Sequence, residues 1–97
     1  MNGIAPRDRV PLLPRGVRLH HDPVRDAPVL LGPERALMLD EIGHAILSEV
    51  DGVRTLDQIA AHLAEAYEAP KEEVAADMAA FLDDLADRQL IWYRDAG

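Results

Sequence analysis

The spacing of apolar residues changes period once along this chain, from two to between three and four. Val17, Leu19 and His21 alternate with Arg18 and His20, the two-residue period of a half-buried strand. Asp22-Pro23-Val24-Arg25-Asp26 has the composition of a turn. Pro28–Leu31 reads as a second strand that Gly32-Pro33 interrupts. Glu34–Leu39 is short and apolar at its end, and the pattern predicts a third strand over Arg35–Leu39, although Ala, Leu and Met favour helix. Connections this short suit an antiparallel meander.

Three helices are predicted beyond it. Asp40 is placed as an N-cap for the first. Its apolar stripe is Ile42, Ile46, Leu47 and Val50, and Gly52 stands where a left-handed C-terminal cap belongs. Thr55-Leu56-Asp57-Gln58 has the spacing of a capping box. The stripe that follows is Leu56, Ile59, Ala60, Leu63 and Tyr67. The third helix opens at Pro70, whose missing N–H is harmless in a first turn. Glu72 and Glu73 suit the positive end of its dipole, and it runs to about Arg88. An apolar tail, Leu90-Ile91-Trp92-Tyr93, closes the domain. The class expected is α+β, winged-helix-like, with a three-stranded antiparallel sheet followed by three helices.

On the third helix Val74, Met78, Phe81 and Leu85 share a narrow arc. Ala75, Ala79, Leu82 and Ala86 widen it on one side beyond the stripe a core requires. Such a shoulder of small residues lets another backbone approach closely; alanine as ordinary helix filler accounts for it equally well.

Residues 1–15 contain Pro6, Pro11 and Pro14 and read as a flexible, extended arm. Within it, Pro11-Leu12-Leu13-Pro14 has the composition to tack onto the core. The single domain is expected over 16–93, with a tail over 94–97. No stretch of the chain approaches the roughly 20 apolar residues of a membrane span. The first residues lack the apolar run of a signal peptide, and a cytoplasmic location is expected.

Charge changes the functional reading. The net charge is −8. It divides into +2 over Met1–Arg35 and −10 over Ala36–Gly97. The turn at Gly52 followed by the capped helix over Asp51–Tyr67 reads like the opening of a helix-turn-helix, and it lies in the acidic half. The third helix alone carries −4, with no Arg, Lys, Asn or Gln in its middle. Binding to DNA needs cations to displace counterions and amides to read bases, so a DNA-binding winged helix is disfavoured.

Catalytic chemistry finds little support. The chain has no cysteine, which excludes a disulfide, a zinc–thiolate site or a thiol nucleophile. His20 and His21 are neighbours on a strand and point to opposite faces, while His44 and His62 fall on different helices. No metal site follows from them. Glu72-Glu73 and Asp83-Asp84 lie on the polar side of a helix, where a solvated face explains them. No catalytic residue and no cofactor is expected. What remains is recognition: the third strand is a sheet edge to which an extended peptide could add, if the third helix lies across it.

Several segments, in this order and spacing, carry a resemblance. They are Gly16-Val17-Arg18-Leu19, Leu30-Leu31-Gly32-Pro33-Glu34, Asp51-Gly52-x-Arg54-Thr55 and Phe81-Leu82-x-x-Leu85. Together, from about Leu13 to Ile91, the chain resembles the PqqD family of pyrroloquinoline quinone biosynthesis. The family usually ends its last helix with Gly-Leu, whereas here Gln89 precedes Leu90. The resemblance implies a small, non-enzymatic peptide recognition element. It implies binding of the ribosomal precursor peptide PqqA and its delivery to the radical S-adenosylmethionine enzyme PqqE. A recognition element for a different modified peptide is the alternative. The implied site is an antiparallel peptide on Arg35, Ala36, Leu37, Met38 and Leu39, against Ala75, Met78, Ala79 and Leu82 of the third helix. The acidic surface around Asp77, Asp83, Asp84 and Asp87 either guides docking to a basic patch on the enzyme or only aids solubility. The short hairpin turns are compatible with a monomer and with exchange of a hairpin in a dimer.

Overall fold

The computed structural model describes residues 7–95. The elements run β1 (Arg9–Leu12), β2 (Arg18–Asp22), β3 (Ala27–Leu31), β4 (Ala36–Met38), α1 (Glu41–Ser48), α2 (Leu56–Tyr67), α3 (Lys71–Asp87) and β5 (Trp92–Asp95). β2, β3 and β4 form the antiparallel meander in that order, and three helices follow it, as the periodicity predicted. β4 is shorter than the predicted strand. Pro28 of β3 has no N–H to offer Leu39, so the ladder ends on a single bond from Leu39 N–H to the Pro28 carbonyl (3.1 Å).

The expected flexible arm is corrected over its described part. Arg9–Leu12 pairs antiparallel with Trp92–Asp95, so that Val10 faces Arg94 and Pro11 faces Tyr93. Val10 and Pro11 are fully buried. A proline is tolerated here because a two-stranded ribbon leaves every strand one side free of ladder bonds. The expected tail at 94–97 is corrected in the same way, since Arg94 and Asp95 belong to β5; residues 1–6, 96 and 97 lie outside the described residues. Arg7 fastens the start of this segment. Its guanidinium bonds Asp57 of α2 (2.6 Å) and Glu72 of α3 (2.7 Å).

Local signals account for the helix starts. Asp40 accepts from Gly43 N–H (2.7 Å) and caps α1. Thr55 Oγ1 accepts from Gln58 N–H (3.1 Å) and Gln58 Oε1 from Thr55 N–H (2.8 Å), the reciprocal box expected for α2. Pro70 stands as the N-cap of α3, in extended backbone. Gly52 is left-handed (φ 76°), but α1 ends earlier, at Ser48. Gly52 instead turns the α1–α2 loop, and its carbonyl accepts from Arg94 (2.8 Å).

That loop explains the Asp51-Gly52-x-Arg54-Thr55 motif as architecture. Asp51 accepts from the N–H groups of Val53 (2.9 Å) and Arg54 (3.0 Å). Arg54 returns to Asp51 and to Glu49 on the far side. The bonds from the Arg54 and Val53 amides, reinforced by the Arg54 side chain, hold the Asp51 carboxyl down at about 2.

The core lies between the sheet and the helices, around Leu30, Leu47, Leu56, Ile59, Met78, Leu82, Leu85 and Ile91. α3 lies along α2. Two positions of the predicted apolar stripes lie outside the core: Ile42 is 69% exposed and Tyr67 65%. Among the described residues no helix is long and apolar enough to cross a membrane.

Candidate functional site

The main chain of β4 is the candidate site, and its polarity follows from the ladder. Gly32 N–H donates to the Arg35 carbonyl (2.8 Å), and Leu39 N–H to that of Pro28. Leu37 stands opposite Leu30 between them. Bonded and non-bonded positions alternate in an antiparallel pair. Arg35, Leu37 and Leu39 therefore turn their main-chain groups toward β3. Ala36 and Met38 turn theirs outward, along an edge that no strand among the described residues occupies. Side chains alternate on the perpendicular axis: Leu37 and Leu39 pack inward, while Ala36 and Met38 are exposed.

The chain on either side of this strand packs against α3 or the segment after it. Beyond its last residue, Gly43 is packed by Phe81: a β-carbon there would lie 3.1 Å from Phe81 Cζ. Before its first residue, a β-carbon on Gly32 would lie 2.8 Å from Leu90. Leu90 is set by the end of α3. Its N–H bonds back to the Leu85 carbonyl (2.9 Å) and Gln89 N–H to that of Ala86 (3.0 Å), a Schellman closure. This closure places Gln89 in left-handed backbone (φ 63°), where the resemblance leads one to expect glycine. Tyr93 of β5 adds a side tie, donating its hydroxyl to Asp83 of α3 (2.7 Å). Burial, then that bond, pushes the Tyr93 phenol up.

The predicted site residues fall into two groups. Arg35–Met38 lie on the open strand or beside it, with Leu39 buried next to them. Ala75, Met78, Ala79 and Leu82 are core residues, between 0% and 5% exposed. The alanine shoulder is therefore not an open surface in this structure. Small side chains let α3 sit close to its neighbours, and the approach is already taken up inside the molecule. Among the apolar residues of α3 beside these, Val74 and Phe81 are half-buried, and Asp77 is exposed.

A hollow of about 330 Å³ opens beside Val74 and Asp77, between α1, α2 and α3. Ile46, Leu63 and Met78 form its buried floor, Ile42 and Tyr67 its exposed walls, and Glu41 and Asp77 its acidic rim. The sequence signal for it was present but misassigned, because periodicity shows that Ile42 and Tyr67 continue apolar stripes without showing what covers them. No group of three or more side chains placed to hold a metal occurs among the described residues.

Comparison with known proteins places this geometry. The family model for coenzyme PQQ synthesis protein D (PqqD) matches residues 28–91. The PqqA binding protein of Rhizobium meliloti is 52% identical over 81% of this chain and 81% of its own. The solution structure of the PqqD truncation of Methylobacterium extorquens PqqCD, described as a functional, stand-alone recognition element for ribosomally synthesized and post-translationally modified peptides, is 44% identical. It covers 86% of this chain and 88% of that one, with a TM-score of 0.74. The crystal structure of PqqD from Xanthomonas campestris is 40% identical over 87% of this chain and 93% of that one, with a TM-score of 0.57.

Proposed function

The chain belongs to the PqqD family, and on that premise we propose that it binds the precursor peptide PqqA by strand addition and presents it to the radical S-adenosylmethionine enzyme PqqE. One observation carries the peptide part of this reading. Ala36 and Met38 hold main-chain donors and acceptors outward on an edge that no other described strand pairs. An extended peptide satisfies those groups and extends the meander by one strand, the mode in which backbone bonds supply affinity and neighbouring pockets supply register.

In this reading Arg35–Leu39 form the pairing strand. Ala75, Met78, Ala79 and Leu82 are buried and support the site from the core rather than lining it in the free chain. The relatives are named as a binding protein and as a recognition element, which supports a carrier that performs no bond chemistry itself. Delivery to the enzyme rests on the family reading and on the acidic outer face of α3, where Asp77, Asp84 and Asp87 are exposed.

Titration of the isotope-labelled chain with synthetic PqqA tests the peptide part. Amide shifts at Arg35–Leu39 are expected. Saturable binding that leaves these amides unmoved would remove the strand-addition site. For delivery, the complex should bind the enzyme more weakly as salt rises, while peptide affinity changes less; equal salt responses count against the acidic face.

A further inference from the structure

We propose that the hollow between α1, α2 and α3 is a side-chain subsite for the segment of the precursor peptide that precedes the paired stretch, and that it takes an apolar residue flanked by Lys or Arg. The inference rests on the strand-addition reading above and specifies what the peptide must carry.

Three observations lead to it. The first is exposure without a partner. Ile42 and Tyr67 continue the apolar stripes of α1 and α2, yet both lie open, and both border the same hollow over a buried apolar floor. Stripes normally end where the core ends. Two that overrun it at one place form a surface built to be covered.

The second is position. Only Leu39 and Asp40 separate β4 from α1. A strand antiparallel to β4 runs from the Met38 end toward the Ala36 end. Its N-terminal flank therefore leaves β4 in the direction of Asp40 and the first turn of α1, where Glu41 and Ile42 edge the hollow.

The third is charge. Glu41 and Asp77 are exposed at the rim, and neither has an ion pair among the described residues. Arg35, at the opposite end of β4, is likewise exposed and unpaired among them. Exposed Glu34 adjoins Arg35 there, so the uncompensated charge lies at the rim of the hollow. An occupant with a cation beside its apolar residue meets complementary charge at that rim.

The experiment compares complete PqqA with a PqqA lacking the residues before the paired stretch, against the full chain and two variants, Ile42→Ser and Glu41→Lys/Asp77→Lys. All these positions are exposed, and a melting curve confirms that each variant folds. Ile42→Ser is expected to weaken complete PqqA about tenfold, since it removes most of one apolar contact. The double charge variant is expected to weaken it several-fold and to reduce its salt dependence. The shortened peptide should bind all three chains alike, and β4 amides should shift in every case. If Ile42→Ser binds complete PqqA as tightly as the parent while β4 amides still shift, the subsite is wrong and strand addition stands. If no β4 amide shifts, both fall together. If Ile42→Ser instead dissolves a concentration-dependent dimer and leaves peptide affinity unchanged, the hollow belongs to a second copy and the inference is overturned.

Discussion

The ring of Phe81 occupies the space that a side chain at Gly43 would need. A β-carbon at Gly43 would sit 3.1 Å from Phe81 Cζ, 3.3 Å from Cε1 and 3.1 Å from the capping oxygen of Asp40. One glycine thus allows α3 to rest against α1 just where β4 gives way to helix. Gly43→Ala is expected to lower stability by roughly 1 kcal/mol, because crowding of the ring and the cap outweighs the gain in helix propensity. Phe81→Leu shortens the offending side chain. In that background the alanine should destabilise less, and a denaturation double-mutant cycle reads the difference.

Gln89 supplies the second expectation. It holds a left-handed conformation (φ 63°) that a side chain disfavours, while closing α3 so that Leu90 meets Gly32. Gln89→Gly is expected to raise stability by about 1 kcal/mol in chemical denaturation, without changing peptide affinity.

Acid should loosen the clamp on the N-terminal segment. Lys71 and then Arg7 hold Asp57 below the ordinary carboxylate range, and Arg7 does the same for Glu72. A carboxyl depressed by folding adds stability that is complete above its unfolded pKa, about 4, and disappears as pH falls through the folded value. The melting temperature should therefore fall as the pH drops below about 4, and that of Asp57→Asn/Glu72→Gln should fall less from a lower start. These groups lie at the surface, so added salt should shrink the effect.

Proline placement separates the open side of β4 from the paired side. Met38 turns its N–H outward, so Met38→Pro removes a donor that the folded chain does not use. Peptide binding should be lost with only a modest change in melting temperature. Leu37 faces β3, and Leu37→Pro should lower both.

Much of the fold was readable because local rules and burial agree in it. Asp40 and the Thr55–Gln58 box start helices through bonds within a few residues, and β2–β4 carry their own turns. The β1–β5 ribbon was not readable. Its pairing joins Arg9–Leu12 to Trp92–Asp95 across nearly the whole chain, and Pro11 masks the strand signal. At the site, the edge strand could be read from short apolar spacing. The accessibility of α3 could not, since the same alanines that would admit a peptide also admit a neighbouring helix, and here Ala75 and Ala79 are buried. Ile42 and Tyr67 failed for the converse reason: a stripe records an apolar face and not what fills it.

Amide hydrogen exchange at three consecutive residues tests the central claim most directly. In the free chain Leu37, bonded toward β3, should exchange slowly, and Ala36 and Met38 quickly. Saturation with PqqA should slow Ala36 and Met38 by an order of magnitude or more while Leu37 changes little. Equal rates at Ala36 and Met38 with and without bound peptide would contradict capture by the open edge of β4.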